Sequence, residues 1–295
     1  MLNKYIYKFK KNNSTILKKA IYYMLLSALS FTFLNVFIKY LSDFSTYQKV
    51  FFRGLGSLFF TMCYLMYHKI PMLGNKKKLL ITRGVLGVTS MSLFFAATNH
   101  LTIGTAVSLR YTAPIFAAIL AVVFLKEKIY KLQWVFFLVA MLGVFLIKGF
   151  AAEINTIGLI LVMSSAFFSG LVYVIITKIG TNDHPVVIIN YFMWISVLIG
   201  GVLSINNWKV PQGNEWTLLF SLGIFGYFGQ LFMTKAYQLG TVNKIVPLKY
   251  VEVIFTMILG VLWFGDVYPV LSLLGVLMVI VALVLNVFYK KKAKI

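Results

Sequence analysis

The sequence predicts an all-α polytopic membrane protein: ten transmembrane helices arranged as two inverted five-helix repeats, with both termini cytoplasmic. Three observations carry the prediction. Of 295 residues, 60% are hydrophobic and only 12% are charged, against roughly 25% charged in an ordinary soluble domain. The apolar residues gather into ten runs separated by short polar connectors, and most runs come close to the ~20 residues that a helix needs to cross ~30 Å of hydrocarbon. Residues 139 apart match in kind across the two halves.

In chain order, a basic arm at 1–19 holds six lysines and no acid, which keeps it beside anionic headgroups on the inner side. Spans are expected at about 20–41 and 49–67, joined by a polar hinge, and then comes HKIPMLGNKKK, where Pro71 and Gly74 break the helix and four lysines hold the loop inside. The third span, 79–98, has Arg83 near its inner end, where a long side chain is expected to snorkel to the interface. The fourth, 105–125, contains RYTAPIFAAILAVVFLKE, and the fifth, 132–147, is short enough that Tyr130, Lys131 and Lys148 belong to its interfacial turns. The second half repeats the rhythm at 159–177, 186–203, 218–237, 245–264 and 271–289, followed by a basic tail at 290–295. The domain boundaries are therefore 1–19, 20–148, 157–289 and 290–295. The first run is long enough to span and is followed by others, so no cleavable signal is expected.

The formal charge of +21 arises from 28 basic and 7 acidic residues. In a soluble protein it would suggest nucleic acid, but here the basic groups are dispersed over short connectors, so a nucleic-acid partner is not expected. They act instead on orientation: 21 fall on the inner side and 5 on the outer, which supports termini inside. Cys63, the single cysteine, lies in an apolar run and offers neither a disulfide framework nor a metal cluster.

Adding 139 carries Lys39 to Lys178, Gly84 to Gly223, Gly87 to Gly226, Arg110 to Lys249, Tyr111 to Tyr250, Ile115 to Ile254, Phe116 to Phe255 and Glu127 to Asp266. A unit of five helices is odd, so its copies must lie in opposite orientations, the inverted plan of secondary transporters with a site near the midplane. The glycines, with Gly229 continuing the series, permit close helix contact.

Arg110 and Lys249 remain inside the bilayer, where a charge is expensive unless it lines a polar cavity or reaches an interface. The two are repeat-related and each precedes a tyrosine, which favours a shared cavity with Tyr111 and Tyr250 beside it. Glu252 lies three residues after Lys249 on nearly the same helix face and can neutralise it; protonation of Glu252 would free Lys249 and couple transport to pH. Arg53, Asn35, Trp194 and Gln230 are further candidate substrate contacts, whereas His100, with Asn99 beside it, has no second ligand or base at metal or catalytic spacing. Pro114 removes a backbone donor one turn after Arg110 and suits a helix that bends during gating; the second copy has Val253 there.

The halves RYTAPIFAAILAVVFLKEKI and KYVEVIFTMILGVLWFGDVY, with GTAVSL upstream of the first, resemble the two EamA domains of the drug/metabolite transporter superfamily. The resemblance implies a ten-helix bundle in which spans one, three, four, six, eight and nine line a central cavity and spans five and ten are peripheral. It implies secondary transport of a small organic metabolite by alternating access, in a bacterial cytoplasmic (inner) membrane, by a monomer or homodimer without cofactor or metal. Three deep basic positions, Arg53, Arg110 and Lys249, against Glu252 favour an anionic or zwitterionic substrate such as an amino acid, an organic acid or a nucleotide-like cofactor. An exporter of drugs or toxic metabolites is the alternative within the fold. A membrane-embedded enzyme acting on lipid is the alternative from another class, and the chain lacks the acid, base or nucleophile constellation it would need.

Overall fold

A computed structural model describes residues 2–41, 43–101, 103–148, 155–264 and 270–289. The tail 290–295, Asp266, and the side chains of Lys39, Lys148 and the first fourteen residues lie outside the described residues. Among the described residues the chain is all helical: α1 (Leu2–Tyr40), α2 (Thr46–Tyr67), α3 (Lys77–Ala97), α4 (Ile103–Arg110), α5 (Ala113–Leu125), α6 (Lys131–Lys148), α7 (Thr156–Ile179), α8 (Pro185–Ser204), α9 (Glu215–Leu239), α10 (Val242–Ile245), a 3-10 segment (Val246–Tyr250), α11 (Val251–Phe264) and α12 (Val270–Phe288). Seven helical segments are long and apolar enough to cross a membrane, and three shorter apolar helices, Ala113–Leu125, Lys131–Leu146 and Val270–Asn286, accompany them. The protein is a polytopic membrane protein.

Local chemistry sets the helix ends. Ser45 caps α2 by accepting from Gln48 N, Asn155 caps α7 by accepting from Gly158 N, and Pro185 opens α8, where its missing donor costs nothing. The basic arm is not separate from the first span: with no glycine or proline before Tyr40 to interrupt it, α1 continues through both. The expected fourth span is broken. Pro114 cannot donate to the Arg110 carbonyl, so α4 ends at Arg110, Thr112 N bonds Leu109 O at 3.0 Å, and α5 starts afresh at Ala113. The second copy breaks at the same place by another route: Pro247 lies in the first turn of the tighter 3-10 segment, which ends at Tyr250.

Packing follows one rule. α1 lies against α9 and α3 against α7; α2 touches α9 as α3 touches α8; α1 meets α11 as α5 meets α7. Exchanging the halves turns each contact into its partner, while α2 with α8 and α6 with α12 map onto themselves. Gly56 and Gly223 mark the α2–α9 crossing, where a Cβ on Gly223 would stand 2.5 Å from Gly56 Cα. Only backbone fits there, so the helices approach as closely as small residues allow. Large apolar side chains such as Phe59, Leu198 and Leu262 face outward, whereas the charged groups of Arg53, Arg83, Lys249 and Glu252 are buried in the interior.

Candidate functional site

The broken helices bring the charged positions of both halves to one cavity of about 90 Å³, lined from α1, α2, α3, α4, α5, α7, α8, α9, the 3-10 segment and α11. Arg53, Arg83, Arg110 and Lys249 all line it, together with a single carboxylate, Glu252. Lys249 Nζ donates to Glu252 Oε2 at 2.7 Å, and Asn35 Nδ2 donates to Oε1 at 2.9 Å. Thr256 Oγ1 donates to the Glu252 carbonyl at 2.7 Å within α11, and Thr32 Oγ1 of α1, which donates to Ala28 O at 2.9 Å, lies 3.4 Å from the same carbonyl.

The arginines have no such carboxylate. Lys249–Glu252 is the ion pair formed in the cavity, and Lys209–Glu215 is a peripheral one. Arg53 is 6% exposed and donates to Met91 Sδ at 3.0 Å; its Nε is buried and has no hydrogen-bond partner among the described residues. Arg83 is 1% exposed and donates to Gln230 Oε1 at 2.6 Å, leaving Nε and Nη1 without partners among the described residues. Aromatic faces supply part of the compensation: the Arg110 guanidinium lies 4.2 Å from the Phe94 centroid, Arg83 lies 4.3 Å from Phe192, and Lys249 Nζ lies 4.4 Å from Phe31. Such contacts reach about 2 kcal/mol when desolvated, against several kcal/mol for taking an ion out of water. The balance leaves a pocket with unmet demand for negative charge.

Of the residues singled out in the sequence, Arg110, Tyr111, Lys249, Glu252, Arg53, Asn35, Gln230 and Pro114 line the cavity. Tyr250 does not. It is fully buried behind the cavity, with its ring 6.1 Å from that of Tyr111, so the repeat-related tyrosines meet each other. Trp194 is 45% exposed on the outer face of α8 and reaches no cavity atom; Asn99 and His100 are exposed past the end of α3. Arg83 corrects the snorkelling expectation. It points inward because its face of α3, shared with Gly87, Ser90 and Phe94, is the face packed into the bundle, and that shared face was the overlooked signal. A hydroxyl cluster also went unread: Ser90 Oγ lies 2.7 Å from Ser169 Oγ, and Ser165 Oγ donates to Ser90 O at 2.7 Å, joining α3 to α7.

Charges turned inward from apolar helices around a cavity define a class: a multi-pass membrane protein that handles a small molecule. The comparisons make this particular. The model of the EamA-like transporter family matches residues 18–149 and 156–288, and the chain belongs to that family. It is 26% identical over 273 residues to the pseudopaline exporter CntI of Pseudomonas aeruginosa, covering 90% of this chain and 95% of that protein. It is 28% identical to human solute carrier family 35 member G1, covering 84% and 73%, and 26% identical to an S-adenosylmethionine uptake transporter of Rickettsia felis, covering 92% and 93%. A crystal structure with 12% sequence identity superposes with a TM-score of 0.81, covering 91% of this chain and 98% of that one. The protein is a small-molecule transporter and not an enzyme, which removes the lipid-enzyme alternative.

Proposed function

We propose that the chain is a secondary active transporter of an anionic or zwitterionic metabolite, working by alternating access through the charged cavity. The observation that carries this is the imbalance of four cations to one carboxylate in a buried space. A negatively charged substrate removes the cost of the unpaired arginines, whereas a cationic drug adds to it. The substrate belongs to the amino acids, organic acids or nucleotide-like cofactors. Relatives named for export and for uptake both align along most of the chain, so direction is a property of the coupling and not of the fold.

In this reading the described helices group into ten spans with both termini cytoplasmic, α4 with α5 forming the fourth and α10 through α11 the ninth. The halves are inverted repeats, 20–148 and 157–289, in a bacterial cytoplasmic membrane. The exchange rule in the packing and the paired helix breaks support the plan. Pro114 and Pro247 are the points about which the two broken helices bend. Glu252 is the coupling residue: Lys249, Asn35, Arg53 and Tyr111 surround it, and a proton on it would free Lys249 for the substrate.

Purified protein in vesicles, offered labelled amino acids, organic acids and adenine-containing cofactors, tests the reading. We expect uptake of one anionic or zwitterionic class, lowered at least about tenfold in Arg110→Ala and in Lys249→Ala, since truncating a buried charged partner costs ~2–5 kcal/mol. Normal transport in both variants would remove the cavity as the substrate site. A pH profile unchanged between Glu252→Gln and its parent would remove Glu252 as the coupling residue.

A further inference from the structure

We propose that the cavity is built for a molecule carrying two anionic groups held apart, a dicarboxylate in the simplest case, read by a ladder of three guanidinium groups along α3. The inference rests on the reading of the cavity as the substrate site and narrows its ligand. Three local contacts locate the rungs. Arg83 Nη1 lies 3.1 Å from the point where a Cβ on Gly87 would stand. Arg53 Nη1 is 3.0 Å from Met91 Sδ, and the Arg110 guanidinium is 4.2 Å from the Phe94 centroid. Gly87, Met91 and Phe94 stand at i, i+4 and i+7 of α3 and share one face on successive turns. At 1.5 Å rise per residue the rungs are therefore about 5 Å apart and the ladder about 10 Å long.

Each rung arrives from a different helix, Arg83 from α3, Arg53 from α2 and Arg110 from α4, so the row is a product of the assembled bundle. Among the described residues none of the three has a carboxylate within ion-pair distance, because the one acid of the cavity is held by Lys249. The donors of Arg53 Nε, Arg83 Nε and Arg83 Nη1 are buried and have no partner among the described residues. A monocarboxylate can satisfy one rung and leaves the others repelling one another. Inorganic phosphate concentrates its charge at one point and has the same defect. Two carboxylates separated by a short chain reach two or three rungs at once, each offering the planar pair of oxygens that a guanidinium fork matches.

The test titrates purified full-length protein in detergent with dicarboxylates of graded chain length, with acetate and with phosphate at constant ionic strength, reading affinity by calorimetry. The expected result is saturable binding of dicarboxylates with an optimum in chain length, at least about tenfold tighter than acetate or phosphate, or ~1.4 kcal/mol. Arg83→Gln and Arg110→Gln should each weaken the best dicarboxylate by about tenfold or more, and both should abolish the length optimum. Arg83→Lys, which keeps the charge and reports on folding, should retain binding but with a shifted optimum. Equal affinity for acetate and dicarboxylates, with dependence on Arg110, overturns the ladder and leaves the anionic-substrate reading standing. Absence of binding by any anion, with transport of a neutral or cationic solute intact, overturns both. Dicarboxylate binding that ignores chain length, or that survives Arg83→Gln unchanged in a folded protein, also overturns the ladder.

Discussion

Glu252 is held from two sides, by Lys249 Nζ at 2.7 Å and by Asn35 Nδ2 at 2.9 Å. Removing one partner of a buried pair costs about 3–5 kcal/mol, because the other charge is left uncompensated. We therefore expect Glu252→Gln to lower the melting temperature in detergent and Glu252→Gln combined with Lys249→Met to restore most of it. A double variant as unstable as the single one would show that the pair is not the source of the loss. Arg110, Lys249, Arg53 and Glu252 were legible in the sequence because a charge deep in an apolar run demands a reason. Arg83 was not, because a position near a helix end suits snorkelling as well as burial, and only the face it shares with Gly87 and Ser90 separates the two. Trp194 and Tyr250 show the complementary limit. Residue type nominates a contact, but the direction of the side chain comes from packing that a single helix does not contain.

At the scale of elements, the crossing of α2 and α9 depends on two missing side chains. A Cβ on Gly223 would lie 2.5 Å from Gly56 Cα, whereas the nearest neighbour of one on Gly201 is Phe51 Cδ2 at 3.3 Å. Backbone cannot yield as a ring can, so Gly223→Ala should destabilise the protein by about 1–3 kcal/mol, the range for overpacking. Gly201→Ala should be tolerated, and thermal melts of the two variants side by side decide the matter. The broken helices were half legible. Pro114 announced a bend in the first copy, but comparison at a fixed offset set it against Val253 and suggested that the second copy lacked the device. Pro247 performs it from six residues earlier, since a 3-10 segment needs only a proline in its first turn and not at one fixed place. The ends of the helices differ from expectation for a related reason: capping by Ser45 and Asn155 extends α2 and α7 beyond their apolar runs.

For the whole molecule, the apolar runs made a polytopic helical membrane protein legible, but not which helix touches which, because periodicity marks a buried face without naming its neighbour. One contact between the halves ties that architecture to movement. Lys126 adopts a left-handed conformation at φ 55° and turns the chain out of α5. Glu127 then accepts from Val242 N at 2.9 Å and Asn243 N at 3.1 Å, clasping the start of α10. Asn243 extends the clasp by donating to Lys128 O at 3.3 Å. The end of the first broken helix is thereby fastened to the beginning of the second, and under the proposed alternating access an opening of the cavity toward that end would part them. Glu127→Gln keeps the shape but replaces one acceptor oxygen by an NH₂ facing a backbone donor, a loss of about 1–3 kcal/mol for a charge-assisted bond. That is enough to shift an opening equilibrium about fivefold or more. With Cys63 replaced by serine and Ser169→Cys placed in the cavity lining, a membrane-impermeant maleimide applied from the side bearing the α9–α10 turn should label Glu127→Gln several-fold faster than its parent, and from the opposite side no faster. Equal rates from the near side would mean that the clasp holds a loop and not a gate.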